Sequence, residues 1–172
     1  MAKEDTINAL KRQVSRDIVS DKEIVDIIDS PESKKDNWKS LYLLDTIATK
    51  KASFAPCIYR YHMIAPTVEK NSTFLTIAAD YSGTVDSNSI YRNISLTIYI
   101  ITHVSHMVID SNLIDSNRND YLAHLLDKKF SRKLPYCKFK LKSNTEGTYR
   151  DDFLYRKLVF SCEVAEDICD VD

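Results

Sequence analysis

Residues 93–100 alternate without a break. Ile94, Leu96, Ile98 and Ile100 point one way, and Asn93, Ser95, Thr97 and Tyr99 point the other. Side chains on a strand change face at every step, so this pattern predicts a half-buried β-strand. The strand is expected to run from Ile90 to about Val104, well beyond the usual length of about five or six residues. Long strands occur where a sheet extends past its own core to meet a neighbour. The chain is therefore committed to a sheet, and the remaining segments are read by how they complete it.

Four further runs have strand character. Cys57, Tyr59, Tyr61 and Met63 alternate with Ile58, Arg60 and His62, and Pro66 ends that run. Thr73 to Tyr81 is rich in β-formers and is followed by turn signals at Ser82-Gly83 and Asp86-Ser87-Asn88. Cys137, Phe139 and Leu141 alternate with Lys138, Lys140 and Lys142, which predicts a strand with a charged outer face. Ser143 to Gly147 reads as a turn, and Asp152 to Val164 reads as the last strand.

Three segments read as helix. Ile7, Leu10, Val14 and Ile18 recur at steps of three and four. Ser20 and Glu23 have capping-box spacing ahead of Ile24, Val25, Ile27 and Ile28, so the start is two helices or one broken near Ser20. Pro31 follows their end. The third helix starts near Asn117, with Asn117 or Ser116 as its cap and Asp120 in its first turn. Tyr121, Leu122, Leu125, Leu126 and Phe130 form its apolar face, and Lys128, Lys129, Arg132 and Lys133 crowd its end. The order is helix, helix, long connection, three strands, helix, two strands. It predicts one α+β domain over residues 1–172, with an antiparallel or mixed sheet of about five strands. The N-terminal helices and the later helix should pack on one face. The connection over residues 30–56 is longer than loops in compact domains usually are, and is read as a partner-binding arm.

Composition excludes more than it names. The 172 residues carry a net charge of −1, which fits neither a strongly basic nucleic-acid binder nor a supercharged acidic protein. Gly83 and Gly147 are the two glycines, too few for a GxGxxG turn or a phosphate-cradling loop. No apolar run approaches a membrane span, and residues 1–10 do not read as a secretory signal. Cys57, Cys137, Cys162 and Cys169 form no CxxC pair and read as buried thiols of a protein made in a cytoplasm.

Candidate chemistry is sparse. His103 and His106 with Asp110 could suggest a metal site, but three-residue spacing in a strand sends two side chains to opposite faces. Asp80, Asp86, Asp110 and Asp115 lie near turns, where Asp serves the backbone. No serine or cysteine sits in a nucleophile elbow. No catalytic, cofactor or metal residue is assigned, and the chain is expected not to be an enzyme. Charge is more informative. Arg118, Lys128, Lys129, Arg132, Lys133, Lys138, Lys140 and Lys142 face only Asp120 and Asp127 in the same stretch. This is a basic face for nucleic acid or an acidic partner, or a helix end plus one solvated strand face. Residues 163–172 hold Glu163, Glu166, Asp167, Asp170 and Asp172 and no base, an acidic tail. The ten tyrosines fall mostly at strand spacing and read as sheet packing.

The order of elements, the run Asn93–His103, the helix entry Asp115–Ala123 and the closing Tyr155–Phe160 together resemble the small neck and tail-completion proteins of tailed bacteriophages. The likeness is to the tail-terminator and head–tail joining group, and spans about Ile7 to Cys162. It implies a virion protein with no active site, made in the host cytoplasm. Such subunits form rings, commonly hexamers, that join the tail tube to the head connector and leave a channel for DNA. Under this resemblance the long strand would extend a sheet across subunits. Arg118, Asp120, Lys138, Lys140, Lys142, Glu163, Glu166 and Asp167 become candidates for subunit contact or the channel wall. The long connection and the acidic tail depart from the pattern, which leaves the station open among terminator, head-closure ring and adaptor. The alternative is a nucleic-acid-binding or nuclease-like domain using the basic 118–142 stretch.

Overall fold

A computed structural model describes residues 6–28, 57–60, 72–85, 88–109, 115–132, 134 and 138–165. Two N-terminal helices, α1 (Thr6–Ser20) and α2 (Lys22–Ile28), precede the sheet. The strands are β1 (Ile58–Tyr59), β2 (Thr73–Val85), β3 (Asn88–His103), β4 (Lys140–Arg150) and β5 (Phe153–Ala165). A short 3-10 turn (Val104–His106) follows β3, and helix α3 (Arg118–Phe130) lies between β3 and β4. The five-stranded sheet has the order β1-β2-β3-β5-β4. β1 runs parallel to β2, and the other pairings are antiparallel. This is the expected α+β architecture. The 30–56 connection lies outside the described residues, as do Cys137, Cys169 and Asp110.

The alternation in β3 sets the two faces. Ile94, Leu96, Ile98 and Ile100 are fully buried and meet Leu158, Phe160 and Cys162 of β5 and Leu75, Ile77 and Ala79 of β2. The apolar stripes of all three helices close over this face: Leu10, Val14 and Ile18 from α1, Ile24 and Ile28 from α2, and Leu122, Leu126 and Phe130 from α3. Phe130, Phe139 and Phe160 pack edge to face, with centroids 5.7, 6.0 and 6.2 Å apart, and pin the end of α3 to the start of β4. The opposite face has a smaller aromatic cluster, Tyr59, Phe74 and Ile101, flanked by Tyr99, Tyr149, Phe153 and Tyr155. Cys57 and Cys162 are buried. Among the described residues, no helix is long and apolar enough to cross a membrane.

Three local expectations are corrected. The break between α1 and α2 falls at Asp21, whose side chain accepts from Ile24 N, while Ser20 Oγ turns back onto Asp17 O. Ser20 therefore does not form the predicted capping box, and Glu23 is used elsewhere. The second correction concerns β2, which continues through Ser82 and Gly83 to Val85 and absorbs them with a register shift between Tyr81 and Gly83. The third concerns Ser143–Gly147, which lies within β4 and is not a turn. The chain reverses instead at Asp151-Asp152, where Asp152 O accepts from Val104 N at 2.9 Å. Gly147 lies opposite Tyr155, whose ring covers it so closely that an added Cβ would sit 2.7 Å from the phenol oxygen. The glycine makes room for an aromatic ring on a strand, a cross-strand device that mimics turn composition.

Candidate functional site

Helix α3 carries the charged residues singled out by sequence, and its two ends differ. Its start is built from a cap and a buried polar network. Asn117 has extended backbone, and its Oδ1 accepts from Asp120 N at 2.9 Å. This satisfies one of the open donors at a helix start. Arg118 shares a helical stripe with Leu122 and Leu126, so it points into the protein and is only 3% exposed. Its guanidinium donates from Nε to His106 O at 2.6 Å, from Nη2 to Val108 O at 3.1 Å, and from Nη1 to Ile27 O. Ile27 lies in the last turn of α2, where carbonyls lack helical partners and carry the negative end of the helix dipole. One planar fork thus ties α2, α3 and the segment after β3 together. The charge of Arg118, a candidate for subunit contact or the channel wall, is spent inside the fold.

Asn119 extends the network. Its Nδ2 donates to Leu154 O at 3.2 Å, which leaves Oδ1 to accept from Thr102 Oγ1 at 2.7 Å. Thr102 Oγ1 also bonds Thr73 Oγ1 at 3.1 Å, and Thr73 Oγ1 lies 3.0 Å from His106 Nδ1. Thr102 has a single proton, so Thr73 supplies the bond between the two hydroxyls. Asp120 Oδ1 pairs with Arg156 Nη2, and its Oδ2 accepts from Asn117 Nδ2 at 2.7 Å. Arg156 reaches Glu146 Oε2 at 3.4 Å with its other amino group. Asp120, Glu146, Arg156, Asn117, Gly147 and Tyr155 line a shallow cleft of about 290 Å³. The cleft's guanidinium is already bridged by two carboxylates. Tyr121 OH donates to Glu23 Oε1 at 2.9 Å, and this bond, with some burial and the nearby negative charge, holds the phenol above its ordinary pKa.

The other end of α3 is solvated. Lys128 and Arg132 are exposed, whereas Lys129 Nζ ties down to Asp21 Oδ2 at 3.1 Å. The Phe130–Phe139 contact brings this end beside Lys138, Lys140 and Lys142, all exposed. The basic stretch therefore divides: Arg118 is buried, Lys129 is half-buried against Asp21, and Lys138, Lys140 and Lys142 are on the surface. Glu163 falls in β5 opposite Asn93, and Glu166 and Asp167 lie outside the described residues. β3 does not offer its edge to a neighbour, because β2 and β5 occupy both sides. The edges are β1, two residues long, and β4, which sequence reading had cut short at the false turn.

The histidines are engaged locally. His103 is buried, its Nδ1 accepts from Ser105 N at 3.1 Å, and its ring stands edge-on to Phe153 at 4.9 Å. His106 Nδ1 faces Thr73. Asp80 and Asp115 are exposed, and Asp86 and Asp110 lie outside the described residues. Among the described residues no cluster of three or more metal-ligating side chains exists.

Sequence reading missed the burial of Arg118. The available signal was its spacing of four from Leu122 and eight from Leu126. Arg156 was missed as a partner of Asp120 because 36 residues separate them.

No curated protein matches the chain. A family model, described as YomW, matches residues 17–162. That span begins in the last turn of α1 and ends at Cys162 in β5, so it takes in α2, α3, the Arg118 network and all of β4. Membership points to a phage-associated protein. With the matched region covering nearly the whole fold, the chain belongs to the YomW family.

Proposed function

We propose that this chain is a structural subunit of a phage particle, a ring-forming protein of the neck or tail that joins the tail tube to the head and leaves a channel for DNA. In this reading it is not an enzyme. The observation that carries it is the outer strand: β4 is 11 residues long, has no buried side chain, and pairs with β5 on one side. An open strand of this length is a template for pairing with another chain, which proteins normally cover or use. Family membership supports the phage setting. The internal bonds of Arg118, Asp120, His103 and His106 support structural roles for residues that could otherwise suggest chemistry.

DNA binding through the basic stretch is the competing reading. It loses Arg118 and Lys129 to internal contacts and keeps Lys128, Arg132, Lys138, Lys140 and Lys142. Light scattering over a concentration series, with and without added salt, separates the two. The subunit reading expects growth in mass toward a closed ring that electron microscopy then images. A monomer at every concentration that binds DNA in a salt-sensitive manner overturns it in favour of the competing reading.

A further inference from the structure

We infer that the exposed edge of β4 in one copy receives the acidic segment beyond β5, residues 166–172, of a second copy. This rests on the subunit reading and names the contact that would build the assembly. β4 bonds β5 on one side, and its other row of N–H and C=O groups is open among the described residues. Two registers would let a second β4 cover it in full. A parallel one sets Lys140 and Lys142 against their own copies, and an antiparallel one sets Lys140 against Arg150. Like charges directly opposite are destabilising, and edge lysines are a known guard against such pairing. The same lysines favour an acidic strand.

The chain itself carries one. Glu166, Asp167, Asp170 and Asp172 occur beyond β5 with no base among them, and Val171 and Ile168 supply β-forming residues. β5 ends at Ala165 opposite Tyr91, whereas β4 begins at Lys140 opposite Ser161. The last described residue of β5 thus stands four positions beyond the start of β4, or about 13 Å at a strand's rise. It is heading away from its own β4. Returning to that edge would need a sharp reversal directly after Ala165 and a crossing past the start of β4. A neighbouring copy can present its edge without any reversal. Lys128 and Arg132 at the end of α3 add positive charge on this side of the molecule.

Main-chain pairing supplies most of the affinity in such a contact, and charge supplies selection. Donor and acceptor surfaces differ, so the contact is heterologous. Heterologous contacts close into rings or run on as filaments.

The test uses two full-length variants. The first, Lys138→Glu/Lys140→Glu/Lys142→Glu, makes the edge acidic. The second, Glu166→Lys/Asp167→Lys/Asp170→Lys, makes the tail basic. Each alone is expected to assemble at least about tenfold more weakly than the parent by sedimentation, and an equal mixture to recover assembly, because each edge then meets an opposite tail. A mixture that stays unassembled overturns the inference. A parent oligomer unchanged in both variants also overturns it, and leaves the subunit reading standing. A parent that is monomeric at every concentration overturns the subunit reading together with this contact. Circular dichroism checks folding. Should the reversed edge not fold, Lys138→Thr/Lys140→Thr/Lys142→Thr takes its place, with assembly expected to be weaker and no longer salt-sensitive.

Discussion

The two ends of α3 hold the same kind of residue in opposite circumstances. At its start the Arg118 guanidinium is buried against three carbonyls from two segments. At its end Lys128 and Arg132, with Lys138, Lys140 and Lys142 nearby, stand in water. In one dimension they form a single basic stretch. In three dimensions the first holds the fold together and the second leaves the fold nearly indifferent. Position on the helical stripe decides which: Arg118 lines up with Leu122 and Leu126, and Lys128 falls on the outer face. Charge type alone therefore does not assign a residue to a partner.

The contrast is broken most severely at Arg118. Arg118→Ala removes the donor shared by His106 O, Val108 O and Ile27 O and leaves them facing a cavity. Losing one partner of a buried charged network costs about 3–5 kcal/mol. Urea unfolding should show a loss of that size. Arg118→Lys should recover little, since one ammonium cannot reach three carbonyls held by a planar fork. A loss below about 1 kcal/mol would mean that the guanidinium is not what joins α2 to α3.

Gly147→Ala is next. The new Cβ would lie within 2.7–2.8 Å of the Tyr155 ring, which also packs on Tyr99 with centroids 5.9 Å apart. Displacing that ring should cost about 1–3 kcal/mol, the usual range for overpacking. The double variant Gly147→Ala/Tyr155→Ala should show a clear departure from additivity, because both changes act on one contact. Additive effects would show that the glycine is needed for its backbone alone.

Asn117→Ala is smaller. It removes the side-chain acceptor for Asp120 N and the amide that holds Asp120 Oδ2. Loss of a cap of this kind costs about 1 kcal/mol. Thermal unfolding should register it, and Asn117→Asp should restore only part of it, because its carboxylate accepts from Asp120 N but sets an oxygen against Asp120 Oδ2 where the amide donated.

These three sites also show what the sequence made legible. Alternation in β3 and the stripe Leu122, Leu126 and Phe130 follow from simple periods, so the sheet, the helices and the buried faces could be read directly. The cap at Asn117 was readable because capping is local. Gly147 was not, because a glycine beside Ser143, Asn144 and Thr145 has the composition of a turn. Its purpose depends on Tyr155 across the strand pair, while the real reversal at Asp151-Asp152 carries no glycine. That single error shortened β4 and hid the open edge. Asp120 illustrates the same limit, since its partner Arg156 arrives from β5. Contacts between distant segments leave no period in the chain.

The smallest effect on stability belongs to the basic end. Lys138, Lys140 and Lys142 are exposed, and no ion pair joins them to another described residue. Lys138→Thr/Lys140→Thr/Lys142→Thr keeps strand propensity and removes the charge. Surface changes of this kind stay within about 0.5 kcal/mol per site, so unfolding of the monomer should barely move. The same variant removes the positive charge that selects an acidic strand at this edge. Its visible phenotype should therefore lie in association, with assembly weaker than the parent's and no longer dependent on salt. A large loss of monomer stability would place these lysines with Arg118 as structural residues. The division between the two ends of α3 would then disappear.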